Sequence, residues 1–452
     1  MNRKVTAIVC LILLSGFLGS AQAKVSSEEA AKLKGELTPV GAERAGNADG
    51  TIPEWTGGIQ NPPAHKNGDW LADPFAAEKP LFTITAENYK QYADKLSRSQ
   101  MLMFENKIPN WKMNVYQTHR TVKLPDWVEE NTYNNALNAE LVDNGNGVDG
   151  ACGGFPFPIP KSGSEVIQNH LMHFWGVAYK VSNMGLEGYK NSPGVETYCE
   201  EATWLVPYYL NGQEGKTCGD SLFNYSNVYT KPARRKGEML IVNDYLNARK
   251  RPREAWQYIP GQRRVRRAPT FGFDTPDMPI STVDDAYQYN GSPERYNWKL
   301  IGKQEMYIPY NGYTFEHAYG QGTFTIKDMT PGYPESNPFR WELHRVWVVE
   351  GALKEGERHI YAKRVFYIDE DSWTIAIEER IDAKDNLWRS SFGNIYFDYG
   401  GGKWTQARPI LNRDFQSGEY MVWMISATPS VEIDPPSPEY YTPQGLRKRA
   451  KR

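Results

Sequence analysis

Apolar and polar positions follow two different rhythms along this chain, and the change falls near residue 195. Before it, apolar residues recur at helical spacing or sit in loops; after it, they alternate. Ser26 and Glu29 form a capping box ahead of Ala30, Ala31 and Leu33, which predicts a short helix in residues 24–35. Tyr89, Tyr92, Ala93 and Leu96 make one stripe of a helix expected over residues 85–104. A shorter helix is expected over 131–142. A second capping box, Ser162 with Glu165, predicts a helix reaching about residue 179. Between these lie an ordered loop over 37–58 and the run Gly153-Gly-Phe-Pro-Phe-Pro-Ile-Pro160. Alternate prolines there remove backbone donors and force an extended path.

From residue 196 the period is two. Residues 238–246 place Leu240 and Val242 on one face. Residues 340–350 set Trp341, Leu343, Trp347 and Val349 against Glu342 and His344. Residues 359–369 and 373–382 read as a hairpin across Asp369-Glu-Asp-Ser372. Its second strand puts Trp373, Ile375, Ile377 and Ile381 on one side, with Thr374, Glu378 and Arg380 on the other. Further strands are expected at 295–309, 387–399 and 421–425, and a helical turn at 284–289. The predicted class is mainly β (α+β): a large curved antiparallel sheet with covering helices and an irregular N-terminal region. The organisation expected is a signal segment 1–23, a helical and loop region 24–195, the sheet 196–433, and a Pro-rich basic tail 434–452, mostly disordered. Fourteen Trp and 28 Tyr beside 39 Gly and 30 Pro suit this strand-and-turn reading.

One hairpin stands out, over residues 255–270. Trp256, Tyr258 and Ile259 favour a strand, and Pro260-Gly261 fits the centre of a type II turn with Gly261 at positive φ. In the return strand Arg264 and Arg266 share a face opposite Arg263, Val265 and Arg267. Residues 231–267 hold twelve basic side chains against Glu238, Asp244 and Glu254, in a chain of net charge −2. The cluster reads either as a docking patch for anionic headgroups or an acidic partner, or as a solvated face balanced by Asp284-Asp285 or Glu378-Glu379.

The N-terminus carries Arg3 and Lys4, an apolar run over 5–18 and Ala21-Gln22-Ala23, a secretory signal with cleavage expected after Ala23. The expected address is the periplasm. No later stretch is long and apolar enough to span a bilayer, so no transmembrane segment is expected in the mature chain. Loss of Arg3 and Lys4 takes the net charge from −2 to −4, which with the exported address speaks against nucleic acid as a partner. Of the three remaining cysteines, Cys199 and Cys218 are the pair expected to form a disulfide across a strand and a turn. Cys152 is then the odd one, and a Cys152–Cys199 pair stays open.

Sequence motifs of common nucleophiles and nucleotide sites are absent: no G-x-S-x-G, no H-E-x-x-H, no P-loop. Acid pairs such as Glu378-Glu379 alternate faces and cannot share a site. His170 and His173 lack a visible third ligand, so no metal, cofactor or catalytic residue is expected. The aromatic excess reads largely as core. A curved sheet that leaves part of its apolar face open would hold a ligand. The candidate ligand-binding residues are Trp256, Tyr258, Arg264, Arg266, Trp341, Trp347 and Trp373.

Three blocks carry a resemblance: Leu37-Thr-Pro-Val-Gly-Ala-Glu through Trp55-Thr-Gly-Gly58, Phe155-Pro-Phe-Pro-Ile-Pro-Lys-Ser-Gly-Ser-Glu165 through His170, and Trp256-Gln-Tyr-Ile-Pro-Gly-Gln-Arg-Arg-Val-Arg-Arg-Ala-Pro269. Together they resemble a large domain-of-unknown-function family of Gram-negative periplasmic proteins. The Trp-x-Tyr-x-Pro hairpin, with Val365-Phe-Tyr-Ile-Asp-Glu-Asp-Ser-Trp-Thr-Ile-Ala-Ile377 and Asp385-Asn-Leu-Trp388, is distantly similar to the lipoprotein-localisation proteins LolA and LolB. That likeness implies a half-open barrel, lined with apolar residues and covered by helices, that holds acyl chains. The family association implies service to an envelope transport system for hydrophobic compounds, and brings no catalytic residues. The expectation is therefore a non-enzymatic carrier or accessory protein for a lipid or other hydrophobic molecule, with an envelope transporter or outer-membrane protein as partner. The alternatives are an interaction subunit of an envelope complex with no small ligand, and a periplasmic hydrolase.

Overall fold

The computed structural model describes residues 24–190, 193–194, 200–268 and 272–451. The expected signal segment and Cys199 lie outside them. The sheet is built from β1 (Ala178–Tyr189), β2 (Glu200–Leu205), β3 (Ser221–Tyr229), β4 (Met239–Tyr245), β5 (Glu254–Ile259), β6 (Arg264–Arg267), β7 (Tyr296–Pro309), β8 (Trp341–Leu353), β9 (Lys363–Asp369), β10 (Ile375–Ile381), β11 (Leu387–Phe397), β12 (Thr405–Asp414) and β13 (Tyr420–Ser426). Within each half, strands pair with their chain neighbours, all antiparallel: β1 through β6, and β7 through β13. The halves join where β1 meets β13, with Tyr189 opposite Tyr420 and their rings stacked at 5.5 Å. That leaves β6 and β7, consecutive in the chain, each with only one neighbour among these thirteen strands. The sheet wraps but does not close into a barrel. Register shifts at Val181/Met184, Leu300/Gly302, Gly393/Ile395 and Trp423/Ile425 are bulges, which bend strands and increase their twist.

Among the described residues seven α-helices accompany it: α1 (Ser27–Ala31), α2 (Arg98–Glu105), α3 (Asp126–Asn138), α4 (Gly163–Leu171), α5 (Pro207–Gln213), α6 (Tyr313–Ala318) and α7 (Pro443–Arg449). Both expected capping boxes form, Ser26 with Glu29 and Ser162 with Glu165. α4 starts on a glycine because it lies against β7; a Cβ on Gly163 would come within 2.7 Å of the Trp298 backbone. It ends at Leu171, short of residue 179, because residues from Ala178 onward are taken into the sheet. The sheet thus begins before residue 196. The helix expected over 85–104 is broken at Ser97, whose own capping box with Gln100 starts α2 after a 3-10 turn at Tyr89–Lys95. The tail is not disordered as expected: Leu446 of α7 is fully buried, and Arg449 donates to Ser226 Oγ at 2.9 Å.

The cationic hairpin forms with Trp256 opposite Arg267 and Tyr258 opposite Val265. Its turn is wider than the expected type II turn. Residues Pro260–Gln262 make a 3-10 turn, and the positive φ falls on Arg263, at 51°, not on Gly261. The disulfide is corrected as well: Cys218 pairs with Cys152, not with Cys199, across a Cα–Cα distance of 5.4 Å. Helix packing explains this. Asn135 of α3 accepts from Cys152 N at 3.0 Å, and Asn131 donates to both Gly153 O and Gly212 O at 3.3 Å. Gly153 and Gly212 touch backbone to backbone, so Cys152 is held beside the chain that leaves α5 toward Cys218.

Alternation along β8 and β10 is as expected, but neither face is solvated. Glu342, His344, Thr374, Glu378 and Arg380 are all buried, because loops from distant parts of the chain cover the polar side.

Candidate functional site

A cavity of about 460 Å³ lies at the rim where β3 begins and β4 ends. Met172 and Trp175 reach it from the chain after α4, Leu222 and Phe223 from β3, and Phe273 and Tyr287 from the segment between β6 and β7. The wall is therefore supplied in part by the chain that spans the open edge. Trp175 stacks on Phe223 at 5.1 Å and meets Tyr287 edge-on at 4.7 Å. The glycine that follows Trp175 is required: Gly176 has φ +100°, and a Cβ there would lie 2.2 Å from the Trp404 ring.

Two smaller cavities of about 80 and 20 Å³ adjoin it, and Tyr287 lines all three. The Tyr287 hydroxyl accepts from Trp204 Nε1 at 2.8 Å. Tyr287 and Gln288 both sit at positive φ, 55° and 68°, a conformation that costs a non-glycine residue of order 1–3 kcal/mol. Gln288 is fully buried and donates to Ala376 O at 3.2 Å, which fixes the turn.

The polar groups of the cavity are mostly satisfied from within. Arg253 makes a two-pronged pair with Asp244 at 2.7 and 2.6 Å and donates to Asn290 O at 2.8 Å. Arg251, exposed at the mouth, pairs with Asp220 at 2.9 Å. Arg295 lies 3.5 Å over the Phe273 ring. His170 and His173 stack at 5.1 Å. Burial lowers the His170 pKa to about 3, against the pull of the Trp373 and Tyr289 carbonyls, and lowers that of His173 to about 4. Both rings are neutral at ordinary pH. The lining thus combines aromatic and aliphatic groups with polar ones, Gln168, Asn290 and Glu294 among them, and its arginines are paired.

None of the seven residues singled out from the sequence lines this cavity. Trp256 and Tyr258 are half-buried on β5. Arg264 and Arg266 are exposed and form no ion pair among the described residues. Trp341 is core, with Trp111 at 5.7 Å and Phe392 at 5.9 Å. Trp347 stacks on Trp373 at 5.9 Å, under the Lys303 ammonium at 4.6 Å. Trp373 donates to Val40 O at 2.9 Å. The structure thus brings together the hairpin residues, and separately Trp347 with Trp373. The missed residues come from segments remote from one another, 168–175, 222–223, 244–253 and 272–295, with Asn146 beside them. One sequence signal could have found them: the stretch from 268 to 295, long for a connection within a sheet, carries Phe273, Tyr287 and Tyr289.

Beside the cavity wall runs a fully buried ionic network. Arg364 Nη2 lies 2.9 Å from Asp284, and its Nη1 lies 3.0 Å from Asp285 and 2.6 Å from Glu378. Arg380 lies 2.9 Å from Asp285 and 3.0 Å from Glu378. Burial pushes Asp284 up, but Arg364 and His359 outweigh it and hold the carboxyl below its usual range; Glu378 goes the other way, raised by burial. Asp284, Asp285 and Glu378 therefore serve these two arginines and not the cationic hairpin. Glu379 faces away, accepting from Ser99 N.

The chain matches the family described as "Protein of unknown function (DUF1329)" over residues 83–447. It is 39% identical over 456 residues to an uncharacterized protein of Pseudomonas aeruginosa, PA3922, covering 99% of this chain and 98% of that one. Among solved structures it is similar to a DUF1329 family protein from Desulfovibrio piger, at 14% identity and a TM-score of 0.41, over 60% of this chain and 92% of that one. It is also similar to the LolA superfamily protein NE2245 from Nitrosomonas europaea, at 12% identity and a TM-score of 0.37, over 63% and 98%.

Proposed function

The chain belongs to the DUF1329 family, and on that premise we propose that it is a periplasmic binding or carrier protein for a lipid or other hydrophobic molecule, serving an envelope transport system. The observation that carries the reading is the cavity between Trp175, Phe223 and Tyr287, whose volume falls in the range of small-molecule sites. Its histidines are neutral and its arginines are paired, so the lining favours an apolar body over a free charge. Each buried methylene of a ligand adds about 0.8 kcal/mol, so ~12 of them supply roughly 10 kcal/mol before ordering costs. The reading assigns no catalytic residue.

The test is binding of the dye N-phenyl-1-naphthylamine and its displacement by palmitate. Phe223→Arg places a charge in the lining and is expected to weaken both by at least about tenfold, the equivalent of losing two buried methylenes. Equal affinity in the variant would sink the cavity as the site.

Arg264 and Arg266 are assigned the docking of an anionic membrane surface. Each basic side chain near such a surface contributes on the order of 1 kcal/mol, so the double variant Arg264→Glu/Arg266→Glu should bind phosphatidylglycerol-containing vesicles at least ~10-fold more weakly. Sedimentation with vesicles at low and physiological salt reads this out, and unchanged partitioning removes the docking role. Dye binding in the cavity should be unaffected.

A further inference from the structure

We propose that His344, Asp369 and Asp371 form a buried site for one divalent cation of the zinc or manganese type. The sequence places three acids, Asp369-Glu370-Asp371, at the tip of the β9–β10 hairpin, where solvent would be the ordinary environment. In the fold all three are buried, none more than 2% exposed. Consecutive buried carboxylates are strongly unfavourable unless each meets a counter-charge or a full set of donors.

Two of the three are provided for. Asp371 takes a bidentate pair from Arg120, at 2.6 and 2.9 Å. Glu370 takes Lys303 at 2.8 Å and lies 3.5 Å from Arg345. Among the described residues, no lysine or arginine contacts Asp369. Its Oδ2 accepts from Ser372 Oγ at 2.6 Å and Tyr310 Oη at 3.2 Å, while its buried Oδ1 has no hydrogen-bond partner among them. That buried oxygen is open to a further ligand.

The pairing of β8 with β9 sets His344 opposite this gap. Its Nδ1 stands 4.0 Å from Asp369 Oδ1, too long for a hydrogen bond. One oxygen or nitrogen each from His344, Asp369 and Asp371 lie within 4.8 Å of one another. Bonds of roughly 2.0–2.2 Å to a common ion need only a small inward adjustment from there. The ring is also oriented as a ligand would be. Its Nε2 lies 3.2 Å from Glu342 Oε2, and Tyr310 stacks on it at 3.8 Å. Glu342 is itself fixed by Asn311 at 3.1 Å and Arg340 at 2.6 Å. A carboxylate on the far ring nitrogen of a histidine is the usual support of a metal-bound imidazole. Arg120 uses one lone pair on each Asp371 oxygen and leaves others free. One imidazole with two carboxylates suits zinc or manganese better than calcium.

The test measures metal content of the mature chain, produced in medium supplemented with zinc or manganese, passed over chelating resin and analysed by plasma mass spectrometry. A site buried this deeply should load during folding and retain about one ion per chain. Asp369→Asn should reduce retention to about a tenth or less, and Glu342→Gln should weaken it by roughly 10–100-fold. Glu370→Gln, with the same charge change one residue away, should keep the ion. His344→Gln gives the same readout without altering the hairpin, should Asp369→Asn fail to fold. Less than a tenth of an ion per wild-type chain with both metals, or retention equal to the wild type in the Asp369 and His344 variants, overturns the site.

Discussion

Replacing Arg364 with methionine is expected to lower the stability of the folded chain by about 3–5 kcal/mol. Methionine keeps the volume but leaves Asp284, Asp285 and Glu378 with a single buried guanidinium, that of Arg380, between them. The cost arises from stranded charge, so it should depend on pH in a defined direction. In the variant the folded-state pKa values of these carboxyls rise above their unfolded values. The contribution of a group so raised is fully present below its unfolded pKa and is lost as pH rises through the folded one. The deficit should therefore be narrower at pH 5 than at pH 8. Urea midpoints at the two values check this, and a deficit that does not change with pH would falsify the charge-stranding account. The network also anchors the Asp284–Asp285 turn just before Tyr287. The same variant should therefore lose dye binding even under conditions where it remains folded.

The disulfide carries the second large effect. Cys152 and Cys218 are 66 residues apart, and chain-entropy reasoning for a loop of that length gives about 4 kcal/mol. Cys152→Ser should shift the unfolding midpoint of the oxidised protein down to that of the reduced wild type. Cys199→Ser should leave it unchanged. Equal losses from the two serine variants would mean that the pairing is not Cys152–Cys218. The bond ties the start of the proline-rich run, beside α3, to the loop that leads into β3 and the cavity rim. A smaller drop in dye affinity should accompany its loss.

Much of the architecture was legible in the chain because it is local. The two capping boxes, the hairpin between β9 and β10, and the Trp256 hairpin each rest on residues within a few positions of one another. What was not legible depends on coverage and on distance. Alternation along β8 and β10 reads as one wet face and one dry face. The sequence cannot show that residues near 40, 120 and 285 return to cover the wet one. For the same reason Glu378 and Asp284-Asp285 looked available to balance surface arginines, when they are consumed by Arg364 and Arg380. Trp341 and Trp373 carried the right aromatic signal for a lining, but the interior they line is packed. The cavity draws on Trp175, Phe223, Phe273 and Tyr287, which share no period. Cys152 met Cys218 through the backbone contact of Gly153 with Gly212, a coincidence of helix packing that spacing does not encode.

The seam between β1 and β13 sets the order in which the molecule can assemble. Each half-sheet pairs strands that are neighbours in the chain and can form by contacts of short range. Joining the halves brings residue 189 to residue 420, a closure whose entropic cost must be met before any contact across it repays it. Until the last strand arrives, the inner edge of β1 offers a row of unpaired amides and carbonyls, the template on which chains aggregate. A chain stalled or truncated before β13 would present that edge permanently. How long that edge stays open is thus set by when the second half arrives, and not by the stability of the finished sheet.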